Sequence, residues 1–80
     1  MRAIVDIETD AINATKIHCI VARNADTGQA KHWAGDQCGE FREWSKKIDT
    51  FIMHNGISFD APLLNKFTGS DIKLEQIEDT

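Results

Sequence analysis

The chain has 80 residues, 41% of them apolar and 28% charged, with a formal net charge of −4. That length allows one domain, and the composition is that of a folded globular protein rather than a disordered tail. The acidic balance argues against a freestanding DNA-binding module, which normally carries a basic face, although bound metal ions or a second domain can supply positive charge instead.

No apolar run is long enough to span a bilayer, and Met1-Arg2 leads into an apolar stretch rather than a signal peptide, so no membrane partner and a cytoplasmic location are expected. Cys19 and Cys38 lack the His or Cys spacing of a zinc site and are expected to stay reduced.

In chain order, Ala3 to Thr9 reads as a strand. Its period of two puts Ile4, Asp6 and Glu8 on one face and Val5, Ile7 and Thr9 on the other. The two carboxylates therefore point the same way, an arrangement that calls for a cation, a proton or open water between them. Residues 10–15 are rich in turn formers and predict a tight connection.

Lys16 to Arg23 alternates Ile17, Cys19 and Val21 against His18, Ile20 and Ala22, both sets mostly apolar, which predicts a strand buried on both faces. Asn24-Ala25-Asp26-Thr27-Gly28 is a hairpin signal, and Gln29 to Ala34 follows as a more polar edge strand. From Gly39 the period changes. Phe41, Trp44 and Ile48 fall at i, i+3 and i+7 opposite Arg42, Glu43, Lys46 and Lys47, the pattern of a short amphipathic helix.

Thr50-Phe51-Ile52-Met53 is a continuous apolar run, the signature of a parallel strand covered on both faces. His54-Asn55-Gly56 ends it. A second helix is expected from Ser58 as N-cap, with Pro62 in its opening turns, Leu63, Leu64 and Phe67 toward the core, and Gly69 as its stop. A last strand is expected around Glu75 to Asp79. Trp33, Trp44, Phe41, Phe51 and Phe67 are expected in the core.

The element order gives a single α/β domain with a mixed sheet: three antiparallel strands, helix, parallel strand, helix, final strand. If the Phe51 strand lies beside the first one, Asp6, Glu8 and His54-Asn55 gather at the carboxyl ends of neighbouring strands, where open α/β sheets hold their sites. Asp60 falls just inside a helix N-terminus, a place that by itself favours a carboxylate. With Asp6 and Glu8 it makes three acidic side chains at one end of the sheet, the hard oxygen donors that Mg²⁺ or Mn²⁺ selects.

Asp6-Ile7-Glu8-Thr9 resembles the first motif, Asp-x-Glu, of the DEDD superfamily of 3′-to-5′ exonucleases, and Asn55-x-x-x-Phe59-Asp60 resembles its second. The nearest likeness is to the amino-terminal proofreading domain of the family A DNA polymerases of short-tailed bacteriophages. Similar counterparts occur there for Thr15-Lys16-Ile17-His18-Cys19, for His54-Asn55-Gly56 with Asp60-Ala61-Pro62-Leu63, and for Asp79-Thr80. The resemblance implies a ribonuclease H-like fold and hydrolysis of the terminal phosphodiester at the 3′ end of single-stranded DNA with two Mg²⁺ or Mn²⁺ ions. It implies that Asp6 bridges both metals, Glu8 binds the first and Asp60 holds the second. It also implies that Ile12 packs on the terminal base, with Thr9, Asn55 and Phe59 beside the substrate strand.

The family pattern continues into further helices that carry a Tyr or His general base and a fourth carboxylate. This sequence holds no counterpart of either, so a domain incomplete at its C-terminus is expected. Asp79 matches a downstream family position but not the fourth ligand, and His54 reads as support for its turn. Two alternatives follow: a catalytically incomplete module that pairs as a homodimer or with a complementing chain such as a polymerase domain, and an RNA-processing relative with the same carboxylates.

Overall fold

The structure is a computed structural model that describes residues 1–9, 16–54 and 56–79. Ile12 and Asn55, the connection expected over residues 10–15 and the side chain of Ser58 lie outside the described residues.

Five strands form one mixed sheet: β1 (Arg2–Thr9), β2 (Ile17–Asn24), β3 (Ala30–Ala34), β4 (Thr50–Met53) and β5 (Ile77–Asp79). Their spatial order is β3-β2-β1-β4-β5, with β1, β2 and β3 antiparallel and both β4 and β5 parallel to β1. This is the mixed α/β sheet that the element order predicts, with β1 at its centre, in the ribonuclease H-like arrangement that the resemblance implies. The first hairpin turns at Gly28, whose φ of 78° a side chain would disfavour. Asn24 supports the turn by accepting backbone N–H bonds from Asp26 and Thr27 through its side-chain oxygen.

One face of the sheet carries the core. Ala3, Val5 and Ile7 of β1, Ile20 and Ala22 of β2, Trp33 of β3 and Phe51 and Met53 of β4 pack with Phe41, Ile48, Ala61, Leu64 and Ile72 in a single cluster. Trp33 sits at one end of it, edge-on to both Phe41 and Trp44 with ring centroids 5.2 Å apart in each pair.

The other face is open, which corrects the expectation that β2 and β4 are covered on both sides. Val21 is 39% and Ile4 45% exposed, and Thr50 and Ile52 are half-buried. Both residue sets of β2 look apolar because the strand changes phase. Glu8 pairs with Cys19 but Thr9 pairs with Ile17, so His18 is an extra, bulged residue that swings Ile17 onto the buried face.

The first helix is shorter than its pattern suggests. A 3-10 turn, Gly35–Glu40, leads into α1 (Phe41–Ser45), and Ile48 lies beyond its end. The N–H groups of Lys46, Lys47 and Ile48 each bond three residues back, so the chain winds tighter and still delivers Ile48 to the core. The second helix, α2 (Ala61–Thr68), begins later than Ser58 because a wider turn, Gly56–Asp60, precedes it. It stops as expected at Gly69, with φ of 75°. The Asn65 side chain then takes both backbone groups of Ile72, donating to its carbonyl and accepting from its N–H at 3.0 and 2.8 Å. That clamp returns the chain along α2 toward β5, which forms at Ile77 after a 3-10 turn, two residues later than expected.

Cys19 and Cys38 are both free thiols. No described helix is long and apolar enough to cross a membrane.

Candidate active site

The site grows from the parallel pairing of β1 and β4. Ile4 stands beside Ile52, so the residues that follow on each strand emerge at the same end of the sheet. Asp6 and His54 line a cleft of about 320 Å³ there with Ile4, Val5, Ile52 and Met53. Asp6 and Glu8 share the exposed face of β1, as their spacing predicts.

Asp60 approaches the same place from the turn before α2. The five residues Gly56–Asp60 wind more widely than an α-helix, a local distortion often found at functional sites. Gly56 makes the turn fit. A Cβ built on it would lie 2.5 Å from Cβ and 2.9 Å from Sδ of Met53, and 3.2 Å from Cγ2 of Ile77. Its role is therefore close packing against the ends of β4 and β5, rather than an unusual backbone angle. Ala61, buried in the core, anchors the helix immediately after the aspartate.

Asp60 ends up only 6% exposed. Burial is the main force on its carboxyl and the negative charge of Asp6 the next, and together they push its pKa up to about 6. His54 acts in the opposite direction and Asp79 adds to the rise. Asp79 also accepts a hydrogen bond from the backbone N–H of Ile57 at 3.2 Å, tying the end of β5 to the turn that carries Asp60.

Of the residues singled out in the sequence, Asp6 and Asp60 are brought within electrostatic reach of one another. Glu8 shares Asp6's face further along β1 but does not figure among the charges acting on Asp60. Thr9 is half-buried at the end of β1, and Phe59 packs partly against the core. The sequence placed His54 near the carboxylates as support for its turn and matched Asp79 to a downstream family position without a role; both act on the charge of Asp60. The signal for Asp79 is the register of β5: placed parallel to β4, it sets Asp79 beside Met53, next to the end of the strand that delivers His54.

The donor chemistry fits a hard divalent cation. A nearly buried carboxyl held under the charge of a second carboxylate is a group whose ionised form a cation would stabilise, and the donors at hand are oxygens. Among the described residues, no three His, Cys, Asp or Glu side chains stand together closely enough to hold a metal. The arrangement is a pair of carboxylates, Asp6 and Asp60, coupled through their charges.

No known protein family matches the sequence, and no curated protein does. In fold, the chain is similar to part of a solved family B DNA polymerase from the hyperthermophilic archaeon Pyrobaculum calidifontis, with a TM-score of 0.64 and 17% identity. The match covers 86% of this chain and 11% of that one, so the chain spans about a tenth of the polymerase. At this identity the likeness is one of fold, and a family B neighbour does not support the family A assignment that the sequence motifs suggest.

Proposed function

We propose that this chain carries the acidic part of a polymerase-associated nuclease, a 3′-to-5′ exonuclease that hydrolyses the terminal phosphodiester of single-stranded DNA. The observation that carries the reading is Asp60, almost buried and raised to about 6 beside the charge of Asp6, at the carboxyl ends of two parallel strands. A carboxyl perturbed by burial and by a specific charged partner, beside a cleft at the carboxyl ends of parallel strands, is a functional-site candidate. The motif resemblance and the polymerase fold neighbour support the same reading.

In this reading Asp6, Glu8 and Asp60 would supply oxygen ligands to two Mg²⁺ or Mn²⁺ ions, and these ions, when bound, would supply a hydroxide near neutral pH and stabilise the leaving 3′ oxygen. The chain's own residues set up the charge. The Gly56–Asp60 turn brings Asp60 within electrostatic reach of Asp6, the Asp79 carboxylate accepts from the Ile57 N–H of that turn, and the His54 side chain moderates the excess negative charge. Exposure of Asp6 and Glu8 on the uncovered sheet face leaves them accessible to a strand end, and Thr9 and Phe59 are the residues that the resemblance sets beside that strand.

The test is degradation of a 3′-labelled single-stranded oligonucleotide with Mg²⁺ or Mn²⁺, with Asp6→Ala as the contamination control. Loss of 3′ nucleotides by the native chain alone supports the proposal; equal activity in the variant refutes it. An RNA oligonucleotide cut in preference to DNA would move the chain to the RNA-processing alternative.

A second reading rests on the open face. Ile4 and Val21 leave apolar surface exposed beside Asp6, which suits an interaction module that pairs with a second copy or a complementing chain. Sedimentation showing a monomer at every concentration would remove the homodimer.

A further inference from the structure

At the amino ends of β4 and β5, away from the carboxylates, lies a cavity of about 350 Å³ between the end of α1 and the segment that follows α2. Three of the chain's nine Lys and Arg residues line it: Arg42, Lys46 and Lys73. They come from three separate segments, α1, the turn after it and the stretch before β5. Basic residues often sit at helix C-termini to offset the backbone dipole, but that does not account for Lys73, which belongs to neither helix, and α1 has only five residues.

The charges are available. Among the described residues Arg42 has no carboxylate within ion-pair distance, and its stem runs over Gly69, where a Cβ would lie 3.5 Å from its Cδ. Lys46 pairs with Glu43 and Lys73 with Asp71, both at 3.0 Å and both exposed, so water and competing anions can displace these partners at little cost. The one carboxylate in the lining is Asp71; with Glu43, which stands outside the lining on Lys46, the three cations keep one net positive charge, and displacing both partners frees all three. The floor is apolar, built from Ile48, Phe51 and Ile72.

We propose that this cavity is a binding site for a small phosphomonoester. A phosphomonoester near neutral pH carries between one and two negative charges and oxygens that accept from a guanidinium and two ammonium groups. Its three terminal oxygens can answer all three basic groups once Asp71 and Glu43 are displaced, where a carboxylate ligand brings only two oxygens and one charge. The apolar floor suits the body of an organic phosphate. Inorganic phosphate and a nucleoside monophosphate share the chemistry and differ in that body.

The test is an amide NMR titration of the whole chain with inorganic phosphate, with a nucleoside monophosphate, and with an oligonucleotide lacking terminal phosphate. Both phosphates should shift the amides of Ser70, Asp71 and Lys73, with the nucleotide binding more tightly. Arg42→Gln combined with Lys73→Gln should weaken binding roughly tenfold or more, and Asp71→Asn should strengthen it by freeing Lys73. Lys47→Gln, nearby but outside the cavity, should change nothing. Unchanged affinity in the double variant, or shifts centred on Lys31 and Lys47, would overturn the proposal. Equal binding of the unphosphorylated oligonucleotide would overturn the assignment to a monoester.

Discussion

Asp60 titrates under the charge of Asp6, although one stands before α2 and the other in the central strand. Replacing Asp6 by Asn removes the second largest cause of the shift and should bring the Asp60 pKa down from about 6. It should not fall to the ordinary carboxylate range, because burial is the larger cause and Asp79 still adds to it. A side-chain carboxyl NMR titration of native and Asp6→Asn protein measures the difference. An unmoved Asp60 would mean that the two groups do not share a site.

The same carboxyl makes stability depend on pH in an unusual direction. A carboxyl whose pKa is higher in the folded chain binds protons more tightly there than in the unfolded chain. Its contribution is therefore fully present below the unfolded value near 4 and is lost as pH rises through about 6. At neutral pH the ionised group costs on the order of 2 to 3 kcal/mol, a large share of what a domain this small commands. Asp60→Asn should therefore raise the urea midpoint at neutral pH and flatten the pH dependence between about 4 and 6. A variant less stable than native at neutral pH would contradict this.

Gly56→Ala should destabilise by roughly 1 to 3 kcal/mol, the usual cost of overpacking. The new methyl would meet the Cβ of Met53 at 2.5 Å, so shortening Met53 to Ala cannot relieve the clash. Thermal unfolding of Gly56→Ala with and without Met53→Ala tests the point, and rescue by the second change would show that the sulfur, at 2.9 Å, is the true obstacle.

Much of this architecture is written in local patterns. The alternation of Ile4, Asp6 and Glu8 against Val5 and Ile7 set their faces correctly because β1 is regular and one side of it is buried. The apolar run Thr50–Met53 and the stop at Gly69 were equally legible. β2 misled because the bulge at His18 exchanges the faces partway along, so neither residue set looks polar. Nor does an apolar run reveal whether a second layer covers it, and so the exposure of Val21 could not be read in advance. For the candidate site, the motif resemblance singled out Asp6 and Asp60, and the structure brings the two within electrostatic reach. The role of Asp79 depends on β5 pairing with β4, a long-range choice that three residues do not encode.

Protons and divalent ions compete for the same carboxylates, so metal binding at this site should weaken as pH falls through about 6, where Asp60 takes up its proton. Calorimetry with Mn²⁺ well above and well below that value should show the loss, and Asp6→Ala should abolish binding at both. Affinity that is independent of pH, or of Asp6, would place the ion elsewhere.

Asp79 touches Asp60 by two routes that the same residue change can separate. Its charge raises the Asp60 pKa directly, and its carboxylate accepts from the Ile57 N–H in the turn that ends at Asp60, where loosening should admit water to the buried carboxyl. Asp79→Asn removes the charge but keeps an oxygen that can accept from Ile57. Asp79→Ala removes both. The two losses act in the same direction, since less negative charge and more water each favour an ionised Asp60. The Asp60 pKa should therefore fall in the order native, Asp79→Asn, Asp79→Ala, and hydrogen exchange at Ile57 should quicken only in the alanine variant. If both variants lower the pKa equally and leave Ile57 protected, the charge alone is at work and the hydrogen bond does not hold the turn.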